Sequence, residues 1–232
     1  MQISHRLERV ASNVKCRGVV ADIGCDHGFT SIYLIENKMA DHVIAMDINK
    51  GPLERAKAHV REYNMENDIE LRLSDGAKEL VPGEADTLLI SGMGGMLITK
   101  ILNDSKDVVD DVKELVLSPQ SDISLVRKCI HELGFSIDNE EMLTDQGKYY
   151  IVIRAVKGKE SYNSEEDYIY GKKLIEKKDM IFYQYLLKEK ERVNKVLNKL
   201  SNMTLSDKAH LQKNELEHEY DMVESMIDRF NE

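Results

Sequence analysis

A glycine-containing loop follows the first strand that the sequence predicts. The segment Val19-Val-Ala-Asp-Ile-Gly-Cys-Asp-His-Gly-Phe29 runs from apolar residues through Gly24 and Gly28 into a helical pattern. Gly24 permits a tight turn, Gly28 lets the backbone pack closely or approach a ligand, and the helix N-terminus offers unpaired amide groups. This arrangement is typical of nucleotide-binding sites, although a plain turn between strand and helix explains the glycines alone equally well.

Acidic and small residues follow three further predicted strands. Asp47 ends the second strand, 23 residues after Gly24, where a Rossmann-type fold places a carboxylate against a ribose diol. Asp75-Gly76 follows the third strand and suits contact with an adenine amino group, and Ser91-Gly-Met-Gly-Gly95 follows the fourth. Each acid alone is more often a helix cap or a solvated residue. At the matched ends of parallel strands, these residues together predict one ligand-binding crevice.

S-adenosylmethionine (SAM) suits this crevice better than NAD does. A dinucleotide requires G-x-G-x-x-G, whereas this loop reads Gly24-x-Asp26-x-Gly28 and places a carboxylate where phosphate would approach. SAM has no phosphate and carries a sulfonium and an ammonium, which the carboxylates of Asp22 and Asp26 attract. The sequence also contains no P-loop. We therefore expect SAM as the cofactor.

Apolar runs alternate with helical patterns in the N-terminal part, which predicts an α/β fold with a mainly parallel sheet covered on both faces. The first predicted helix covers residues 29–37. Asn49, Gly51 and Pro52 open a second helix. A third follows Ser121 or Asp122, one of which is its predicted cap, and runs to Leu133. The last two of seven strands form an expected antiparallel hairpin. The predicted strands are Val19–Ile23, His42–Met46, Glu70–Leu73, Thr87–Ile90, Leu115–Leu117, Phe135–Glu141 and Tyr149–Val156.

The composition changes near residue 160, which predicts one domain over 1–160 and a helical domain over 161–232. Two apolar stripes at helical spacing, broken over Ser201–Ser206, predict an antiparallel coiled-coil hairpin. Residues 172–199 hold nine Lys or Arg against four Asp or Glu, and residues 207–232 hold three against eight. These charges indicate either two helix faces that attract each other or a basic surface for phosphates.

Overall composition restricts the class of protein. The 232 residues are 42% hydrophobic and 32% charged, without an apolar run of membrane-spanning length or a secretory signal, so we expect a cytoplasmic protein that does not bind membranes. Three separated cysteines argue against disulfides and a thiolate metal site. A net charge of −10 argues against a simple polybasic nucleic-acid binder.

The sequence resembles the bacterial TrmK-type tRNA (adenine-22)-N1-methyltransferases over essentially its whole length. The resemblance implies a Rossmann-like class I methyltransferase domain that uses SAM, and a C-terminal coiled-coil domain that binds tRNA. Family members commonly read S-D-H-A-Y and Q-P-N where this chain has Cys25-Asp-His-Gly-Phe29 and Ser118-Pro-Gln120. The matching segments are Ile3-Ser-His-Arg-Leu7, Ala21-Asp-Ile-Gly-Cys-Asp-His27, Asp47 with Gly51-Pro52, Asp75-Gly76, Gly92-Met-Gly-Gly95 and Asp145-Gln-Gly-Lys-Tyr149.

Methylation of adenine N1 assigns chemistry to the loop. The ring lone pair attacks without prior loss of a proton, so positioning dominates, and a carboxylate stabilises the positive charge that develops on the ring. We expect Asp26 to supply it, the alternative being that Asp26 caps the following helix. His27 is the second catalytic candidate, unless it orients the loop or satisfies a backbone carbonyl. Met93 offers an apolar face to an extruded base.

The remaining candidate residues divide between cofactor and substrate. The expected cofactor-binding residues are Asp22, Gly24, Cys25, Gly28, Asp47, Ile48, Asp75, Gly76, Ser91, Gly92 and Met93. The expected substrate-binding residues are Arg6, Arg9, Gly94, Gly95, Lys172, Lys173, Lys177 and Lys178, with the arginines and lysines holding tRNA phosphates away from the pocket. No metal is expected, and the protein is expected to be a monomer. The alternatives are a SAM methyltransferase with another acceptor and a catalytically silent RNA-binding adaptor.

Overall fold

Seven strands form one mixed sheet in the computed structural model, which describes residues 1–201 and 207–232. The strand order is β3-β2-β1-β4-β5-β7-β6, with β1 to β5 parallel and β7 antiparallel to both of its neighbours. The predicted α/β fold with seven strands is confirmed. The strands are β1 (Val19–Ile23), β2 (His42–Asp47), β3 (Ile69–Leu73), β4 (Thr87–Ser91), β5 (Glu114–Ser118), β6 (Phe135–Asp145) and β7 (Lys148–Lys157).

The predicted hairpin of β6 and β7 closes through a two-residue turn. Gln146 and Gly147 have φ values of +48° and +77°. Positive φ at both central residues is the requirement of a turn whose twist matches that of antiparallel strands. The turn residues identified in the sequence therefore end both strands, which are longer than predicted.

Six helices accompany the sheet in the unit Met1–Tyr162. Asp122 occupies the position before the last of them, but its φ is +52° and its side chain makes no capping bond. Ser121 Oγ donates a hydrogen bond to Asp122 Oδ2 instead, so Asp122 occupies the predicted cap position without making a side-chain capping bond. The helices are α1 (His5–Ser12), α2 (Phe29–Glu36), α3 (Lys50–Glu62), α4 (Gly95–Asp104), α5 (Lys106–Asp111) and α6 (Ile123–Glu132).

Helix α1, absent from the sequence prediction, is attached to the sheet by a buried carboxylate. The Glu114 side chain on β5 accepts hydrogen bonds from the backbone N–H groups of Lys15 and Cys16 at 3.1 Å, and from Thr87 Oγ1 at 3.0 Å. Arg154 on β7 neutralises it through an ion pair. Because these contacts fix the chain that leaves α1, they also determine where α1 lies against the sheet.

The unit Asn163–Glu232 is helical. It contains a π-helix (Asp167–Gly171), α7 (Lys172–Glu176), α8 (Met180–Ser201) and α9 (Asp207–Asn231). The lysine-rich stretch from Lys172 to Lys199 is therefore two helices rather than one. Asp179 causes the break because its Oδ1 accepts from the N–H groups of Ile181 and Phe182 and so caps α8. The predicted break over Ser201–Ser206 lies, from residue 202 onward, outside the described residues.

Helices α8 and α9 pack antiparallel. Lys190 pairs with Glu224 at 2.7 Å, and Arg192 pairs with Glu219, so the partner's number falls as the residue number rises. The oppositely charged faces of the two helices thus attract each other, which is one of the two interpretations given for their charges. Both apolar stripes contribute buried residues, which are Phe182, Leu186 and Val193 on α8 and Val223, Ile227 and Phe230 on α9. Whether they form a coiled coil stays a prediction.

Within the described parts of the chain, no helix combines the length and apolar character needed to cross a bilayer.

The attachment of α1 predicts a large effect at Glu114. Glu114→Gln keeps the size of the side chain but removes the charge that Arg154 pairs with. Since Arg154 keeps its ion pair with Asp138, the loss should be about 1–3 kcal/mol of unfolding free energy, less than for a buried charge with no partner. Urea unfolding followed by circular dichroism measures this loss. Asp41→Asn, which affects only an exposed pair with Arg17, is the matched control and should change stability by less than about 1 kcal/mol. Equal effects of the two substitutions would show that Glu114 does not anchor the helix.

Candidate active site

A cavity of about 520 Å³ lies at the carboxyl ends of β1, β2, β3 and β4. The adjacent end of β5 and helix α1 contribute Gln120 and Arg6. The predicted loops after β1, β2, β3 and β4 therefore all reach the cavity, because parallel strands end at one edge of the sheet. Of the predicted residues, those that line the cavity are Arg6, Asp22, Gly24, Cys25, Asp26, His27, Asp47, Ile48, Asp75, Gly76, Ser91, Gly92 and Met93.

The loop after β1 turns back onto β2. The N–H groups of Gly24 and Cys25 both donate to the carbonyl oxygen of Met46, at 2.8 and 2.9 Å. Gly24 has a φ of +77°, and a Cβ atom there would lie 2.2 Å from Cε of Met93. A larger residue would therefore strain the turn and clash with the side chain of Met93, whose methyl group packs against Gly24. Burial raises the pKa of the Cys25 thiol, which keeps it protonated and makes it a packing residue rather than a nucleophile.

Asp22 is a buried acid at the floor of the cavity. The residue is only 2% exposed, and Ser31 Oγ donates a hydrogen bond to its Oδ2 at 2.6 Å. Burial raises the pKa of Asp22 to about 6, the Ser31 hydrogen bond lowers it in part, and the nearby charge of Asp47 raises it further. The site therefore holds an ionised carboxylate at neutral pH against a desolvation cost, and a cationic ligand would offset that cost.

Asp47 is held in place by two backbone amides. Its Oδ1 accepts from Asn49 N–H at 2.8 Å, and its Oδ2 accepts from Asp26 N–H at 3.3 Å. Each carboxylate oxygen can accept a further hydrogen bond. The side chain is fixed in direction while it keeps acceptor capacity toward the cavity, which is the arrangement that a ribose diol requires.

Asp26 lies at the mouth of the cavity. Its side chain is 66% exposed, and its Oδ1 lies 3.6 Å from His27 Nε2 and 3.9 Å from an amino group of Arg55. The alternative role as a helix cap is wrong, because Gly28 occupies the N-cap of α2 and no side chain caps that helix. With a φ of +49°, Asp26 adopts a left-handed conformation that turns the chain at the rim.

The ring of His27 is part of an aromatic cluster. It stacks on Phe29 with ring centroids 5.7 Å apart, and Phe29 stacks on His59 at 4.6 Å. The backbone carbonyl of His27 contacts Nδ1 of His59 at 2.9 Å. His59 therefore satisfies a backbone carbonyl in this loop, which was one of the roles considered for His27.

The acid expected to contact adenine has a partner within the protein. Asp75 forms an ion pair with Lys78, and this pair lowers the pKa of the Asp75 carboxyl. The neighbouring Ser74 is buried, donates through Oγ to the Gly76 carbonyl and accepts from Glu79 N–H. Ser74 thus orders the loop that carries Asp75 and Gly76 along the wall of the cavity.

Three predicted glycines lie outside the cavity and serve packing instead. A Cβ atom at Gly28 would lie 3.1 Å from Cβ of Ala56, so this glycine allows α2 to approach α3 closely. A Cβ atom at Gly95 would lie 2.5 Å from the Ser121 carbonyl oxygen, and one at Gly94 would lie 3.0 Å from Ser121 Oγ. Gly94 and Gly95 thus fit helix α4 against the loop after β5. The assignment of the three glycines to cofactor or substrate binding is not supported.

The two arginines of α1 also differ from the expectation of phosphate contacts away from the pocket. Arg6 lines the cavity itself, with its guanidinium 5.3 Å from the centre of the Tyr150 ring. Arg9 is engaged by Glu141 through two hydrogen bonds of 2.6 and 2.8 Å. The bidentate pair occupies Arg9 and attaches α1 to β6, so a role in phosphate binding is not supported for it.

The four candidate lysines of the second unit are not equivalent. Lys172 and Lys173 lie 3.8 and 3.2 Å from Glu176, whereas Lys177 is exposed. Lys178 donates to the backbone carbonyl of Phe230 and lies over its ring. Lys178 therefore stabilises the end of α9, which is a structural role rather than the predicted one.

Several residues that line the cavity belong to no motif identified in the sequence. Gln120 stood out only as a departure from the family, and Ser74 and Thr30 are small polar residues that occur throughout any sequence. Leu97 and Ile101 belong to the apolar face of α4, a face usually assigned to the core. The strand-end rule could have indicated Ser74 and Gln120, because both follow predicted strands. The further lining residues are Leu7, Ile23, Phe29, Asn49 and Pro52.

Comparison with known proteins shows the same architecture in a group of tRNA-modifying enzymes. A family model described as a methyltransferase domain matches residues 3–153. The tRNA (adenine(22)-N(1))-methyltransferase of Bacillus subtilis (strain 168) is 28% identical and aligns over 98% of each chain. The crystal structure of the B. subtilis m1A22 tRNA methyltransferase TrmK has a TM-score of 0.86 at 27% identity, with 97% of this chain and 99% of that chain covered.

A solved complex with cofactor is also similar. The structure of a Streptococcus pneumoniae protein named as a putative tRNA (m1A22) methyltransferase, in complex with S-adenosyl-L-methionine, has a TM-score of 0.86. It is 26% identical, and the alignment covers 97% of this chain and all of that chain.

The raised pKa of Asp22 predicts a specific dependence of stability on pH. Because its folded pKa of about 6 exceeds the ordinary value of 3.8, the folded state binds more protons between these values, and the Asp22 contribution becomes less favourable as pH rises. Asp22→Asn removes this term. Relative to the variant, the wild type should therefore lose roughly 2 kcal/mol of unfolding free energy between about pH 4 and about pH 8.

Urea unfolding of both proteins across this pH range measures the difference. Asp41→Asn, at an exposed acid paired with Arg17, is the matched control for loss of a carboxylate outside the cavity. A constant difference for Asp22→Asn would mean that Asp22 titrates normally in the folded protein.

Proposed function

The chain belongs to the methyltransferase-domain family, and we propose that it transfers a methyl group from SAM to N1 of adenine 22 in tRNA. The single observation that carries this proposal is the cavity in which Asp22, Asp26 and Asp47 meet at the ends of β1 and β2. Similarity to tRNA (adenine(22)-N(1))-methyltransferases over nearly the full length of the chain supports the acceptor. A tRNA substrate also fits the cytoplasmic location expected from the sequence, and the monomeric state stays a separate prediction.

The cavity residues fit the cofactor by charge and by shape. Asp47 offers fixed acceptors for a ribose diol, and Gly24 allows the side chain of Met93 to pack directly against the turn after β1. Asp22 and Asp26 favour a ligand with positive charge. Phosphate-bearing dinucleotides suit this acidic site poorly. When bound, SAM supplies an electrophilic methyl group on a positively charged sulfur.

The residues at the cavity mouth then direct the acceptor base. N1 of adenine already carries a lone pair, so formation of the nitrogen–carbon bond and cleavage of the carbon–sulfur bond require no prior proton removal. Asp26 accepts a hydrogen bond from the adenine N6 amino group and stabilises the positive charge that develops on the ring. Its 66% exposure makes it accessible to a base that enters from solvent. Met93 provides an apolar contact for that base.

Basic residues of the helical unit supply the affinity for tRNA phosphates. Lys172, Lys173 and Lys177 carry this role, and Lys178 is excluded because it stabilises the end of α9. Such contacts position an RNA without reading its sequence. The acidic remainder of the chain disfavours loose binding elsewhere.

Incubation of unmodified tRNA with SAM and the protein tests the proposal. N1 methylation blocks Watson–Crick pairing, so reverse transcription should stop at adenine 22, and a tRNA with guanine at that position should give no stop. Methyl transfer to small molecules alone would favour another acceptor. A protein that binds tRNA but gives no saturable heat with SAM in calorimetry would be a silent adaptor, and the proposal would fail.

The mechanism predicts that Asp26→Asn separates binding from chemistry. The variant should bind SAM within about threefold of the wild type, whereas kcat for tRNA methylation should fall by roughly 100-fold or more, since a neutral amide does not stabilise the developing charge. Single-turnover kinetics and calorimetry provide the two measurements. Asp107→Asn on α5 is the control for loss of an exposed charge. Near-native turnover in Asp26→Asn would remove Asp26 from the mechanism.

The assignment of the lysines predicts a change in salt dependence. Lys172→Glu combined with Lys177→Glu should weaken tRNA binding and reduce the slope of log affinity against log salt by about 1–2, because fewer counterions are released. The matched control reverses two exposed charges of the first unit, Lys106→Glu on α5 with Lys159→Glu after β7. Filter binding at several salt concentrations gives the slopes. Equal slopes for both double variants would assign no phosphate contact to the helical unit.

A further inference from the structure

Arg55 is an exposed arginine beside the mouth of the cavity. It belongs to α3, whose first turn reaches the cavity through Pro52. Its side chain is 51% exposed and forms one ion pair among the described residues, with Oδ1 of Asp26 at 3.9 Å. That distance is too long for a hydrogen bond, whereas Arg9 donates to Glu141 at 2.6 and 2.8 Å. The N–H donors of Arg55 are therefore available to a further acceptor.

The surroundings of Arg55 place its guanidinium at the rim of the cavity. A Cβ atom at Gly51 would lie 3.6 Å from Nη1 of Arg55, so the guanidinium lies alongside the first turn of α3. His59 follows four residues later on the same face of the helix and stacks on Phe29, which stacks on His27. Phe29 and His27 line the cavity, but Arg55 is not among the described lining residues. Arg55 therefore belongs to the rim rather than to the interior.

The ion pair with Arg55 opposes the role proposed for Asp26. Asp26 is to stabilise positive charge on the adenine ring, and a guanidinium next to the same carboxylate brings another positive charge to that place. Arg55 and His27 both approach Oδ1 of Asp26, at 3.9 and 3.6 Å, so the two groups compete for one oxygen. An exposed pair of this kind contributes little to stability, and it can separate at small cost. Methyl transfer is therefore favoured when Arg55 has left Asp26.

We propose that Arg55 binds a backbone phosphate beside the adenine that is methylated, and that this phosphate draws the guanidinium away from Asp26. This inference rests on the proposed function, in which the base enters next to Asp26. The phosphates of a nucleotide lie within one sugar of its base, so a base that reaches Asp26 brings phosphates to the rim. A guanidinium can donate two parallel hydrogen bonds to a phosphate. Arg55 is then a positioning residue that holds the substrate and frees the carboxylate in one step.

Exposure and charge both favour an RNA as the partner of Arg55. Because half of the side chain is accessible, it can meet a phosphate that remains part of a folded polynucleotide. A free phosphate ion at this rim would be repelled by the nearby carboxylates of Asp22, Asp26 and Asp47. A tRNA offsets this repulsion through its contacts elsewhere on the chain. The partner of Arg55 is therefore a phosphate of the bound substrate rather than a free anion.

Substitutions of Arg55 test the assignment with an unmodified tRNA that contains adenine 22. Arg55→Gln should weaken tRNA binding by roughly 3- to 10-fold and reduce the slope of log affinity against log salt by about 1, because fewer counterions are released. Arg55→Lys should restore the slope because it keeps the charge. The SAM affinity of Arg55→Gln and its single-turnover rate at saturating tRNA should equal those of the wild type. Arg61→Gln, at an exposed arginine of the same helix, is the matched control and should keep the slope.

Each other outcome has a distinct meaning. An unchanged slope in Arg55→Gln, or an equal reduction in Arg61→Gln, would overturn the assignment. A lower single-turnover rate at saturating tRNA with unchanged tRNA affinity would also overturn it, since Arg55 would then only orient Asp26. Retained SAM binding shows that the variant keeps a folded cavity. A wild type that leaves tRNA unmethylated would refute the proposed function itself, whereas a wild type that methylates adenine 22 makes the test specific to Arg55.

Discussion

The accumulation of carboxylates at the ends of β1 and β2 is the constraint on which the site depends. Asp22 is buried deeply enough for its pKa to rise to about 6, and the nearby charge of Asp47 adds to the cost of its ionisation. A fold that keeps these acids together gives up stability at neutral pH. A positively charged ligand recovers part of that free energy on binding, so the acidity that weakens the protein also selects its cofactor.

The scaffold supports this site from a distance. The buried Glu114 carboxylate attaches the end of α1 to β5, and the bidentate pair of Arg9 with Glu141 attaches its middle to β6. These contacts bring Arg6 into the lining of the cavity, alongside the acids. The same contacts explain why α1, a helix of only eight residues, keeps a defined position.

The strands and most cavity residues could be predicted from the sequence because parallel strands buried on both faces give continuous apolar runs that end at one edge. Helix α1 has a local signal in its Ser4 cap, which accepts from Leu7 N–H, but its position against the sheet could not be predicted, since it depends on Glu114, about 100 residues away. The same limitation explains Gly28, Gly94 and Gly95, because a glycine that approaches another helix has the same local pattern as one that approaches a ligand. Lys178 illustrates it again, since its partner is the carbonyl of Phe230.

The crystal structure of this protein with SAM tests the central claim most directly. We expect the ribose hydroxyls to contact Asp47 and the sulfonium to lie on the side of Asp26, with the transferable methyl group directed toward the open mouth of the cavity. The carboxylates would then bind the ribose and the positively charged sulfur of the cofactor. Cofactor density outside this cavity, or density inside it with the ribose turned away from Asp47, would contradict the account.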